Sequence, residues 1–308
     1  MTSNVLSWKQ IADSSFESTD IILKTATDGT TWVAVGYGGK LATSTNPTGT
    51  WTQRTSGFSS SYPIIALATD NTTWVIVGAA GKISTATDPT GTWTAGTSGF
   101  GADNIYAITT DGTTWVIAGG NGKIATATDP AGTWTMGISG FGTGIIYDVT
   151  TDGTTWVING EGGKLFTATD PTGTWTERTS SFDTTQINFI VTDGTTWLAG
   201  GSIGKIATTT DPTGTWTQGS SGFGTSHISG IAINDNGTTW VIGGGNGKLA
   251  TATNPSGTWT LRTSSFESDD QIMSIATSNI TYVAVGYNGK MATNEDVKGS
   301  FPLFLPNL

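Results

Sequence analysis

The chain has 308 residues, of which 35% are hydrophobic and 12% charged, and its net charge is −10. That balance argues against a nucleic-acid backbone or an anionic membrane as the main partner. With no cysteine there is no disulfide framework, no thiolate metal site and no thiol nucleophile.

Residues 1–16 show no basic region followed by an apolar run, so no signal peptide is expected, and no stretch has the length of a membrane span. Their end, VLSWKQIADSSF, mimics a segment that returns six times downstream, as in WTQRTSGF at 51–58. Between residues 17 and 299 one unit runs seven times, clearest at 151–182. Each copy starts with an apolar run (A; here GIIYDVTT) and continues with TTWVING (B), KLFTAT (C) and TWTERTS (D). These runs are rich in β-branched and aromatic residues, and no window has helical apolar spacing. GEGG between B and C offers the positive φ of a tight turn. In DPTG between C and D, Pro171 presets φ and Asp170 can bond its own backbone.

Tryptophan sets the period. B opens at Trp32, Trp74, Trp115, Trp156, Trp197 and Trp240, with Tyr282 in the seventh place, in steps of 42, 41, 41, 41, 43 and 42. D opens at Trp51, Trp93, Trp134, Trp175, Trp216 and Trp259, with Trp8 upstream. A period of about 40–45 residues carrying four strands predicts β-propeller blades. The expected fold is therefore all-β: one seven-bladed propeller over residues 1–300, with four antiparallel strands per blade. Blades begin near Ile21, Ile64, Ile105, Ile145, Ile187, Ile228 and Ile272. The last copy lacks a regular D strand, and two segments compete for the place. GSFPLFLPNL carries Pro302 and Pro306, each of which deletes a ladder donor, whereas Val5–Asp13 has no such defect. Val5–Asp13 is expected to close the ring as the outer strand of the seventh blade. The apolar tail Phe301–Leu308 is then free to fold back on its own chain or to dock on another copy or a partner.

The C–D turns read TATDPTGTWT, TATDPAGTWT, TATDPTGTWT and TTTDPTGTWT around Asp88, Asp129, Asp170 and Asp211, with Asn46 and Asn254 in the other two copies. This resembles the Asp-box, or BNR repeat, of sialidase-like propellers, although the Asp-to-Gly step is one residue longer here. The DGTTWVAVG…GK context resembles bacterial and phage propellers of the photosystem-assembly-factor type. The resemblance implies that the box aspartates are structural and lie on the face away from a sialidase site. The aspartates before B at Asp28, Asp70, Asp111, Asp152, Asp193 and Asp235 suit the same turn-fixing role. Sialidase chemistry is not expected, because Arg54, Arg178 and Arg262 are the only arginines and fall at one outer register of three different blades. The scarce glutamates form no recurring carboxylate pair of the kind a glycosidase needs. No catalytic residue, cofactor or bound metal is expected.

Variation between copies concentrates in the B–C and D–A loops, which share one face. Lys40, Lys82, Lys123, Lys164, Lys205, Lys248 and Lys290 open every C strand there, either as solvated charge or as a sevenfold site for an anionic ligand. Tyr37, Tyr62, Tyr287 and His227 lie on the same loops and complete the candidate ligand-binding set. Glu17, Asp20, Glu267, Asp269 and Asp270 should form an acidic patch at the closing seam, solvated or holding Ca2+. Aromatic side chains among small polar ones suit contact with sugar or protein. The leading expectation is a non-catalytic recognition module for glycans or a surface protein. The alternatives are a structural component of a phage particle or bacterial surface, and a glycan-active enzyme. A virion or a cell surface is the expected location.

Overall fold

A computed structural model describes residues 7–234, 237–278 and 281–295. It holds seven four-stranded antiparallel sheets. Blade 4 shows the pattern: A at Ile146–Thr151, B at Trp156–Gly160, C at Leu165–Ala168 and D at Thr176–Arg178. B is buried along its whole length and D is almost wholly exposed, so each blade runs from an inner strand through a core to a solvated edge. The A strands begin at Ile22, Ile64, Ile105, Ile146, Ile187, Ile228 and Ile272, within one residue of expectation.

Each apolar core cluster fills the space between two neighbouring blades. Phe141, Phe166, Trp156 and Trp175 of blade 4 meet Val116, Ala118 and Ile124 of blade 3 in one of them. Another joins Val283, Val285 and Met291 of blade 7 to Ile22, Trp32 and Trp51 of blade 1, with Ile11 between them. The ring therefore has no open seam.

Closure comes from the N-terminal segment. Ser7–Gln10 pairs antiparallel with the C strand of blade 7, with Trp8 opposite Asn294 and Gln10 opposite Ala292. Beyond the strand, the Ile11 N–H donates to Met291 O at 2.9 Å and the Trp51 N–H to Asp13 O at 3.1 Å. Val5, Leu6 and the tail Phe301–Leu308 lie outside the described residues.

Two devices hold the blades to one shape. A serine just before each D–A loop donates to the carbonyl of the glycine closing the B–C turn, as Ser180 does to Gly163 at 2.6 Å. Its oxygen also accepts the N–H of the phenylalanine two residues on, here Phe182 at 3.2 Å. The pair recurs in all seven blades, with Ser14 and Gly289 serving blade 7. The second device is a glycine at the end of every B strand. At Gly160 a Cβ would collide with the Ile145 carbonyl, which accepts the N–H of Glu161 at 3.0 Å. The backbone of B thus lies directly against the start of A, and no side chain fits between them.

Candidate functional site

Strand order puts the A–B and C–D turns on one face and the B–C turns and D–A loops on the other. The first face is uniform. Asp152 Oδ1 accepts the N–H and hydroxyl of Thr154 and the N–H of Thr155 at 2.7–2.8 Å, and Asp28, Asp70, Asp111 and Asp193 repeat this. Partial burial pushes these carboxyls up, but the threonine donors outweigh it and hold each below its ordinary value. In blade 6 the acceptor is Asn234, which takes the Thr239 N–H at 2.7 Å across a longer loop. Asp235, expected in that role, lies outside the described residues.

The C–D turns are equally self-contained. Asp88, Asp170 and Asp211 each accept the hydroxyl and N–H of the threonine two residues on, which holds their carboxyls low. Asp129 accepts only the Ala131 N–H. In five of the six turns the tryptophan that follows donates its indole N–H back to the turn proline, as Trp134 does to Pro130 O at 3.2 Å; the Trp175 indole is buried without a partner. Each of these carboxylates fixes its own turn through Oδ1. Arg54, Arg178 and Arg262 each donate from Nε to a C-strand threonine of their own blade at 2.8–3.0 Å, so they stay apart on the outer rim.

The opposite face carries the differences. Five of the six tyrosines sit on it or at its inner edge: Tyr37, Tyr62, Tyr106, Tyr147 and Tyr287. Tyr37 and Tyr287 open the B–C turns of the adjoining blades 1 and 7, and Tyr37 is 50% exposed. Tyr62 stands in the next D–A loop under the Lys82 ammonium, 4.5 Å from the ring centre. Tyr106 and Tyr147 are the bulged residues of their A strands, and their rings meet at 5.9 Å where the channel opens. Burial, with Glu161 and Tyr106 alongside, pushes the Tyr147 phenol up. In blade 5 Ile203 holds φ 51 at the tip of the B–C turn and is 54% exposed. A β-branched residue in the left-handed region is a strained choice, and the other copies place Gly38, Ala80, Asn121, Gly162, Asn246 or Asn288 there.

The lysines on this face bond mainly to the protein itself. Lys40 pairs with Asp20 at 2.6 Å, Lys123 with Asp103 at 2.7 Å, Lys205 with Asp183 at 3.3 Å and Lys290 with Asp270 at 2.6 Å. Lys248 donates to Phe223 O at 2.7 Å. Each thus reaches a D–A loop, and Lys164 is left at a polar groove of about 410 Å3 on the rim of blade 4. The expected acidic seam is organised in the same way. Asp20 and Asp270 take the N–H of Glu17 and of Glu267 at 2.7 Å beside their lysines. Among the described residues no three carboxylate or imidazole side chains converge for a metal. His227 lies against Gly245, and burial pushes its imidazole below the usual value against the opposing effect of Gln271.

No family model matches the sequence, and no curated protein matches it. Its fold is similar to that of YCF48 and of a WD40 domain. YCF48 bound to D1 peptide superposes with a TM-score of 0.73 at 17% identity, over 97% of this chain and 98% of that one. YCF48 from Cyanidioschyzon merolae gives 0.74 at 15%, over 94% and 98%. The WD40 β-propeller domain of Doa1 gives 0.75 at 9%, over 95% and 98%. Likeness to YCF48 at this identity establishes the seven-bladed architecture, and the sialidase-like Asp-box assignment finds no family match.

Three residues of the varied face escaped the sequence reading. Tyr106 and Tyr147 sit inside A strands, where an aromatic residue reads as core; only the bulge after each first isoleucine turns them to the channel mouth. Ile203 was visible as the lone β-branched residue at the middle of a B–C turn, a signal that alignment of the seven copies exposes.

Proposed function

We propose that this protein is a non-catalytic recognition module that binds an extended protein segment across the B–C/D–A face. The observation that carries the reading is the segregation of exposed and half-exposed aromatic side chains, with Ile203, to one face of a ring whose other face repeats self-bonded polar turns. Tyrosine offers large contact area with little conformational entropy to lose, and such residues dominate protein interfaces. A strained, exposed isoleucine is costly to the free protein and makes sense where a partner covers it. YCF48, which shares the fold, is recorded bound to a peptide, and this supports the same use of the scaffold here. The internally paired lysines speak against an anionic ligand such as an acidic glycan. A phage or surface-assembly role has no comparable support, and the tail Phe301–Leu308 lies outside the described residues.

The test is selection of binding peptides from a displayed random library, with a glycan array in parallel. Selected peptides should lose at least about tenfold in affinity on Tyr37→Ala or Tyr287→Ala, the loss of one interface anchor. Binding to glycans alone, or peptide binding indifferent to both substitutions, would refute the proposal.

A further inference from the structure

The channel strands carry a second set of departures from the repeat. At the third position of A the seven copies place Lys24, Ala66, Ala107, Asp148, Phe189, Gly230 and Ser274. Lys24 and Asp148 are the sole charged residues in these strands. Together with Thr150, Phe189, Ser229 and Ser274 they line an axial cavity of about 170 Å3.

Holding a blade junction together does not account for the charge. Asp148 Oδ2 accepts the Ile190 N–H of blade 5 at 2.9 Å. Between blades 7 and 1 the neutral hydroxyl of Ser274 takes the equivalent Thr25 N–H at 3.4 Å. Lys24 forms no ion pair within 4 Å among the described residues, although its charge acts on Asp148. A cation and a carboxyl facing one cavity without touching leave both incompletely compensated in a partly desolvated place, which is unfavourable unless something bridges them.

We infer that the axial cavity binds a ligand bearing a carboxylate next to an N–H donor, namely a free α-amino acid or the C-terminal residue of a peptide. The carboxylate meets the Lys24 ammonium, the N–H meets the Asp148 carboxylate, and the Phe189 ring with the Ser274 hydroxyl lines the space between. At roughly 30 Å3 per liquid water the cavity of about 170 Å3 holds about six waters, room for one small amino acid. This site is separate from the tyrosine face and does not depend on it.

The experiment is calorimetric titration of the full chain with glycine, alanine and serine, and with a tetrapeptide ending in alanine, its C-terminus either free or amidated. Binding of the amino acids assigns the small-molecule source, and binding of the free-acid peptide assigns the terminus; either supports the site. Support also requires a loss of at least about tenfold on amidation, in Lys24→Met and in Asp148→Asn, with Lys24→Arg retaining most of the affinity. No binding of any probe at millimolar concentration, or equal binding of acid and amide, or binding unaffected in folded Lys24→Met and Asp148→Asn, overturns the inference.

Discussion

Replacing Ile203 by asparagine should stabilise the protein while weakening recognition. The residue holds φ 51 at the tip of its turn, and 54% of its surface is exposed. An L-residue in this region costs roughly 1–2 kcal/mol, most for a β-branched side chain, whereas asparagine tolerates it. Asn121 and Asn288 occupy the same place in blades 3 and 7 at φ 54 and φ 58. Little packing is given up, so Ile203→Asn should gain about 1 kcal/mol and raise Tm by about 1–3 °C in a chain of this size. Thermal unfolding by circular dichroism measures the gain, and titration with a selected peptide measures the loss in binding. A lower Tm would mean that Ile203 is held by contacts within its own chain. A higher Tm with unchanged affinity would remove it from the proposed interface.

Further outcomes follow from other parts of the ring. Ser180→Ala deletes two buried hydrogen bonds and leaves the Gly163 carbonyl and Phe182 N–H unpaired, so urea unfolding should show a loss of about 2–3 kcal/mol; a loss below about 0.5 kcal/mol would contradict the clasp. Gly160→Ala forces a methyl into the Ile145 carbonyl and should cost more than about 3 kcal/mol, seen as insoluble protein or a sharply lowered urea midpoint. Burial pushes the Asp148 carboxyl up from 3.8 to about 6, against the opposing effects of Lys24 and the Ile190 N–H. Its folded form therefore keeps a proton that the unfolded chain releases, so its stabilising contribution is complete below about pH 4 and is lost as pH rises through about 6. Asp148→Asn should cancel that loss, worth roughly 1–3 kcal/mol by pH 7 after allowance for channel water. Parallel stability curves for the two proteins between pH 4 and pH 7 would contradict this.

Much of the architecture was legible because the repeat states it seven times. Trp32 and its six counterparts count the blades, and the two prolines of the tail pointed to Val5–Asp13 as the closing segment, of which Ser7–Gln10 now forms the ladder. The site was legible only in outline. Variation marked the face and named Tyr37, Tyr62 and Tyr287, but spacing alone did not show that Lys40 and Lys290 meet Asp20 and Asp270, twenty residues before each in the adjoining loop. His227 read as a surface residue, yet the glycine at 245 gives it a place to lie half-buried. Lys24 and Asp148 stand 124 positions apart in unremarkable strands, and only the closed ring brings them to one cavity.

The most direct test of the recognition reading is a hydrogen-exchange footprint of the intact protein with a selected peptide. Protection should fall on the B–C turns and D–A loops, at 37–39, 202–204 and 287–289. Protection confined to the A–B and C–D turns, such as 152–155 and 170–174, would place the partner on the uniform face and contradict the account.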